Sequence, residues 1–322
     1  MTPNKITDAL LGVAVGDAVG VPFEFRSTLQ MQQQPAKGMI EFGTHNQLAG
    51  TWSDDASLTF CLAASLVEGY DLQDIASRFI QWRDQAYWSA RGTVFDIGIT
   101  TNKAISRLIP LVKKNDLEGL RQLQHNAPEN DNGNGSLMRI LPLLFYIKGK
   151  DIATQFALIW EVSALTHRHI RAAMSCLVYL RLAEHLLAGK EKTAAYQAMQ
   201  QDILAFWQQI NFDAAEQVHF TKVIQQNILD TPKGDLRTGG YVIEVLESSI
   251  WFFLTCNDYE QTILSIINLG YDTDTSAAIA GGLAGLYYDQ AGIPAMWLAK
   301  LARLEDIVQL GQDLETALAK IK

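Results

Sequence analysis

Two segments far apart in the chain share a pattern that few folds can accommodate. The first carries Gly12, Gly16 and Gly20, with Ala14 and Ala18 between them; the second carries Ala277, Gly281 and Gly285, with Ala278 and Gly282 beside them. Residues four apart lie on one helix face, so each segment predicts a helix with a stripe almost free of side chains. Glycine inside a helix costs about 1 kcal/mol relative to alanine. A chain that accepts this cost repeatedly needs close backbone approach at those positions, and each stripe is a natural partner for the other at the middle of the molecule. Taken alone, the stripes call for packing and not for chemistry.

The rest of the chain supports a helical frame. Apolar residues recur at helical spacing in Leu58 to Leu66, Ile75 to Trp82, Ile170 to Leu187, Ala194 to Phe206, Val242 to Phe253 and Tyr259 to Leu269. Alternating strand patterns are scarce, and only the short piece Met39 to Phe42 tempts that reading. Turn signals such as Asn132-Gly133-Asn134-Gly135 and Thr231-Pro232-Lys233-Gly234 separate the helices. With no low-complexity linker and no fixed repeat, the expectation is an all-α fold, a single compact domain over residues 1–322.

Composition narrows the function classes. Of the 322 residues 48% are hydrophobic and 19% charged, a balance that allows a substantial buried core. A net charge of −9 disfavours non-specific binding to nucleic acid, which needs a basic surface. It leaves room for an anionic ligand, because helix N-termini and metal ions supply local positive charge. No uninterrupted apolar run approaches the roughly 20 residues of a membrane helix; the best, Ile140 to Ile147, is short and contains Pro142. The N-terminus has a Lys5-plus-apolar look, but Asp8 and Asp17 interrupt it, which argues against a signal peptide. Cys61, Cys176 and Cys256 are odd in number and scattered, which fits buried free thiols in a reducing compartment. A cytoplasmic location is expected.

Two acidic clusters stand at predicted helix starts. Ser53-Asp54-Asp55 precedes the apolar helix from Leu58, and Asp272-Thr273-Asp274-Thr275 precedes the glycine-striped helix. Capping explains part of this, since a first-turn carboxylate gains roughly 0.3–1 kcal/mol from the helix dipole. It does not explain why both clusters sit among small and apolar residues, where carboxylates need pairing or a cation. Four acids with Ser53 and Thr275 as neutral oxygen donors suit Mg²⁺ or Mn²⁺ better than zinc. With a fifth acid such as Glu24, they offer room for two ions about 3.5–4 Å apart, an arrangement used for hydrolysis.

These clusters belong to a longer series of motifs. LLGVAVGDAVGVPFEF (Leu10 to Phe25), GTWSDDASLT (Gly50 to Thr59), FDIGITT (Phe95 to Thr101) and NGNGSLMRILPL (Asn132 to Leu143) are followed by THRHIRA (Thr166 to Ala172), TGGYVIEVLESSIWFF (Thr238 to Phe253) and GYDTDTSAAIAGGLAGLYY (Gly270 to Tyr288). In this order, from Ala9 to about Leu318, the chain resembles the ADP-ribosylglycohydrolases, the family that includes the dinitrogenase reductase-activating glycohydrolase and the ADP-ribosyl-arginine and ADP-ribosyl-serine hydrolases. The resemblance implies a binuclear Mg²⁺ or Mn²⁺ centre with Ser53, Asp54, Asp55, Asp272, Asp274 and Thr275 as ligands. Glu24 matches the family's acid beside the metals, and Asp96 the aspartate facing the ribose; together with Asp55 these are the candidate catalytic acids.

The resemblance further implies that ribose hydroxyls rest on the metals while water, activated there or by a neighbouring carboxylate, attacks the anomeric carbon. Asp96 has an alternative as the N-cap of the following helix. Gly133, Asn134, Gly135 and Ser136 form a loop expected to open a helix through Arg139 and to bind the diphosphate. His167 is similar to the family histidine near the distal part of the ligand, with a structural hydrogen-bonding role as the alternative; Tyr241 is expected to flank the pocket, with a place in the core as the alternative. The partner implied is an ADP-ribosylated protein or an ADP-ribose derivative, with arginine the first choice of linkage and serine or small O-linked derivatives as alternatives. Two positions depart from the family pattern: Ala56 stands where Thr is common, and Tyr271 where Gly is usual. Two rival readings exist. Asp272-Thr273-Asp274-Thr275 also looks like the nucleophile motif of haloacid-dehalogenase-type phosphatases, but only helical sequence follows it. A non-catalytic, crystallin-like family member is expected to shed acids, and this chain keeps them all.

Overall fold

A computed structural model describes residues 4–125 and 127–320. Among these, eleven helices have nine or more residues: α1 Lys5–Gly20, α2 Asp54–Val67, α3 Leu72–Gln85, α4 Ile99–Lys113, α5 Ile152–Ala164, α6 Ile170–Leu187, α7 Lys192–Ile210, α8 Val242–Thr255, α9 Tyr259–Ile267, α10 Thr273–Gly292 and α11 Leu304–Ala319. No β-strand occurs among the described residues. The Met39 to Phe42 piece contributes only an isolated bridge between Phe42 and Gln47, so the fold is all-α as expected.

The two glycine stripes do pack on each other, and antiparallel. A methyl added at Gly12 would run into the Gly281 carbonyl and lie 2.9 Å from Gly285 Cα; one at Gly20 would lie 2.6 Å from Asp274 N. Helices that touch through backbone in this way leave no space for side chains, so the register of α1 against α10 is set to within one turn. Hydroxyls seal the seam: Tyr259 donates to the Gly12 carbonyl at 2.6 Å and Thr273 to the Gly20 carbonyl at 2.8 Å. The C-terminal end of α1 is thereby fixed beside the N-terminal end of α10, where one acidic cluster sits.

Lys5–Phe23 is long and apolar enough, by length and hydropathy, to cross a membrane, but Ile6 through Phe23 are all buried inside the fold. Uninterrupted apolar runs do not reveal this property, because Thr7, Asp8 and Asp17 break the stretch. Burial on all sides, required by the glycine seam, accounts for the composition. The helix α2 is similarly enclosed, with Asp54 through Leu66 all buried, and it lies against α1, α3 and α11. Cys61, Cys176 and Cys256 are free and buried.

Candidate active site

The site forms where α1 ends and α2 and α10 begin. Ser53 is the N-cap of α2; its Oγ accepts from the Asp55 amide at 3.4 Å and donates to Asp55 Oδ2 at 2.9 Å. The free amides at this helix start are satisfied chiefly by a residue that sequence reasoning treated only as an interruption. Asp17, in the last turn of α1, accepts from the Ser53 amide at 2.9 and 3.1 Å and from the Ala56 amide at 2.9 Å. A fully buried carboxylate on the stripe-bearing helix therefore anchors the acidic turn from behind. The available signal was its position, one residue beyond Gly16 in an otherwise apolar helix.

With these amides taken by Asp17, Asp55 keeps one carboxylate oxygen, Oδ1, buried and without a hydrogen-bond partner. The α10 start shows the same feature. Asp274 Oδ1 accepts from the Thr275 amide at 3.0 Å, while its Oδ2 is buried and unpartnered. Asp272 Oδ2 accepts from Asn134 Nδ2 at 2.7 Å. Ligand oxygens of Asp17, Asp55 and Asp274 lie within 4.8 Å of one another, and so do those of Glu24, Asp272 and Asp274. Asp274 belongs to both groups, so two cation positions would be neighbours.

Electrostatics make the same point. Burial first, and then neighbouring carboxylates, push Asp54, Asp55 and Asp274 well above the usual carboxylate range. Asp17 and Glu24 are each raised to about 7, again chiefly by burial. So many desolvated acids repel one another unless protonated or bound to cations. The buried oxygens that lack donors, and a donor set made only of oxygens, fit a hard divalent cation.

The opposite wall is formed by irregular chain. Asp96 is half-buried on the segment before α4, and its pKa is raised by burial. It does not cap α4, whose N-cap is Gly98. His45, which sequence reasoning did not single out, hydrogen-bonds Glu24 Oε2 through Nε2. Glu24, His45 and Asp96 form a third close group. Nothing in the local sequence marks His45; its partner comes from 21 residues away.

The Gly133–Ser136 loop is held against the α10 start by the Asn134–Asp272 bond and by the Asn134 amide, which donates to the Gly240 carbonyl at 3.1 Å. A bridge joins Gly133 to Tyr241, and the half-buried Tyr241 hydroxyl contacts His219 Nδ1 at 3.1 Å. The expected helix through Arg139 is instead a three-residue 3-10 turn, Asn134–Ser136. Two glycines and Pro142 disfavour helix there.

Arg139 is fully buried beneath the loop. Its guanidinium donates to the carbonyls of Gly135 and Val162 and stacks 4.8 Å over Phe79. It braces the loop from below, without facing the pocket. The Ser136 hydroxyl is likewise turned inward, accepting from Ser163 at 2.9 Å. His167 fills the space behind the loop, where a methyl on Gly135 would come 2.5 Å from its Cε1. Burial and then the charge of Arg139 lower the His167 pKa to about 3, so the ring is neutral.

This combination of an all-helical frame and a buried oxygen-only acid pocket at paired helix starts agrees with the comparison to known proteins. Residues 2–321 match the ADP-ribosylglycohydrolase family, and the chain belongs to it. It is 30% identical to the ADP-ribosylarginine hydrolase Tri1 of Pseudomonas putida (strain GB-1), over 98% of this chain and 80% of that protein. It is 26% identical to the ADP-ribosyl-[dinitrogen reductase] glycohydrolase of Rhodospirillum rubrum, over 92% and 90% of the two chains. A solved structure described as an ADP-ribosylglycohydrolase-related protein complex superposes with a TM-score of 0.77 at 28% identity, covering 98% of each chain. The chain is thus an enzyme of the ADP-ribosyl hydrolase kind.

Proposed function

We propose that this protein cleaves the bond between ADP-ribose and an arginine side chain of a protein, using two Mg²⁺ or Mn²⁺ ions. The observation that carries the metal requirement is the pair of buried, unpartnered oxygens, Asp55 Oδ1 and Asp274 Oδ2. Leaving a buried charged acceptor unsatisfied costs several kcal/mol, which a cation between the two helix starts removes. Ser53, Asp54, Asp55, Asp272, Asp274 and Thr275 hold the ions. When bound, ions of this class hold sugar hydroxyls and lower the pKa of water.

The chain's own residues do the rest. Asp17 fixes the Asp55 turn so that its free oxygen does not rotate away. Glu24 and Asp96 stand opposite, both raised chiefly by burial; Glu24, raised to about 7, is suited to carry a proton to or from the reacting centre near neutral pH. Asn134, with the backbone of Gly133 and Gly135, and Tyr241 form the wall along which the ADP part lies, braced by Arg139 and His167. The 30% identity to an ADP-ribosylarginine hydrolase supports arginine as the linkage.

The direct test is to incubate the protein with Mg²⁺ or Mn²⁺ and peptides ADP-ribosylated on arginine or on serine, following ADP-ribose release. Release from the arginine peptide, lost in Asp55→Ala and Asp274→Ala, is the expected result. No release from either peptide, with wild type equal to the two variants, overturns the reading.

A further inference from the structure

The mouth of the site has an aromatic rim on a strained backbone. Phe25 and Tyr271 each follow or precede a site acid, Glu24 and Asp272, and both have positive φ, +64° and +59°. The left-handed region costs a non-glycine residue on the order of 1 kcal/mol. Their backbones are clamped together: the Phe25 amide donates to the Tyr271 carbonyl, and the Tyr271 amide to the Arg26 carbonyl, each at 2.7 Å. Gly270 makes this possible, since a methyl there would collide with the Arg26 carbonyl. The result presents two large rings to solvent, with Phe25 67% and Tyr271 49% exposed. The Phe25 ring lies 5.8 Å from His45, which lies 5.3 Å from the half-buried Phe95, so the rings continue along the Glu24–Asp96 side.

Exposed aromatic residues and backbone strain both cost stability, and the fold retains them at the positions adjoining Glu24 and Asp272. We infer that Phe25 and Tyr271 read the leaving group, stacking on the planar guanidinium of an ADP-ribosyl-arginine. A guanidinium combines a flat face with positive charge, which suits ring faces beside carboxylates. A serine-linked substrate offers neither. This assignment rests on the hydrolase reading above and specifies how one linkage is chosen.

The test compares KM and kcat for an ADP-ribosyl-arginine peptide with inhibition by free ADP-ribose, in wild type, Phe25→Leu and Tyr271→Gly, with a matched serine conjugate assayed in parallel. Cation–π contacts of this kind correspond to roughly 2- to 30-fold in affinity. KM for the arginine peptide is expected to rise by that factor in each variant, with kcat little changed and ADP-ribose inhibition unaltered. Tyr271→Phe should behave like wild type, which a role through the hydroxyl would not allow. Unchanged KM in both variants, or an equal loss of ADP-ribose inhibition, overturns the inference. So does a wild type inactive on the arginine peptide; turnover of the serine conjugate would then leave the hydrolase reading standing.

Discussion

The floor of the site and its rim are built on opposite principles. The floor consists of helix starts in regular geometry, fully enclosed, with charges packed closer than they tolerate unaided. The rim consists of irregular chain with positive φ at Phe25 and Tyr271, exposed and apolar. In the floor the strain is electrostatic and would be relieved by a cation; in the rim it is conformational and apolar, and would be relieved by covering the rings. Chemistry and selectivity thus draw on separate reserves of unfavourable energy.

Four changes test that division. Asp274→Asn removes the charge from the acid shared by both carboxylate groups. Activity is expected to fall on the order of 10³-fold, and the rise in Tm on adding Mn²⁺ to vanish; a variant that keeps its cation-dependent Tm would break the account of the floor. Next, Asp17→Ala strips the Ser53 and Ala56 amides of their acceptor. It should cost about 1–3 kcal/mol in stability, and weaken cation affinity roughly 10- to 100-fold by loosening the Asp55 turn. Calorimetry showing native affinity would demote Asp17 to a purely structural residue.

The third test concerns pH. Asp17 and Glu24 titrate at about 7 in the folded, cation-free protein, raised chiefly by burial, against about 4 when unfolded. The folded state therefore holds protons that the unfolded chain has released. Their contribution is fully present below about pH 4 and is lost as pH rises through about 7. Cation-free Tm should fall between about pH 5 and pH 8, and divalent cation should flatten the decline. A Tm that rises over this window contradicts the raised values. The smallest effect belongs to the rim. Tyr271→Gly removes the left-handed penalty but adds unfolded-chain entropy, so stability should change by less than about 1 kcal/mol. A large loss by denaturant titration would mean that the ring is packed and not held open for a ligand.

Much of the floor was legible from sequence because it depends on local pattern. Acids before an apolar helix mark Asp54, Asp55, Asp272 and Asp274, and four-residue glycine spacing marks the seam that aligns α1 with α10. Asp17 was legible only as an anomaly, since its partners are amides more than 30 residues away. His45 was invisible for the same reason. The Gly133 to Arg139 segment was misread because Ser136-Leu137-Met138-Arg139 has helical composition; the structure spends Arg139 on carbonyls inside the turn. Rim conformation lies further out of reach, because positive φ at an aromatic residue opposes its own preference and is imposed by the clamp.

The α1–α10 seam also fixes when the site comes into being. On a ribosome, α1 (Lys5–Gly20) emerges long before α10 (Thr273–Gly292), the helix whose backbone surface matches it. Until then the glycine stripe of α1 lacks the backbone surface it matches; Asp17 already has the Ser53 and Ala56 amides to hold, but the first acidic turn has no counterpart. The acid pocket therefore assembles only once α10 is made, and a chain cut short before it would leave the apolar glycine stripe of α1 uncovered.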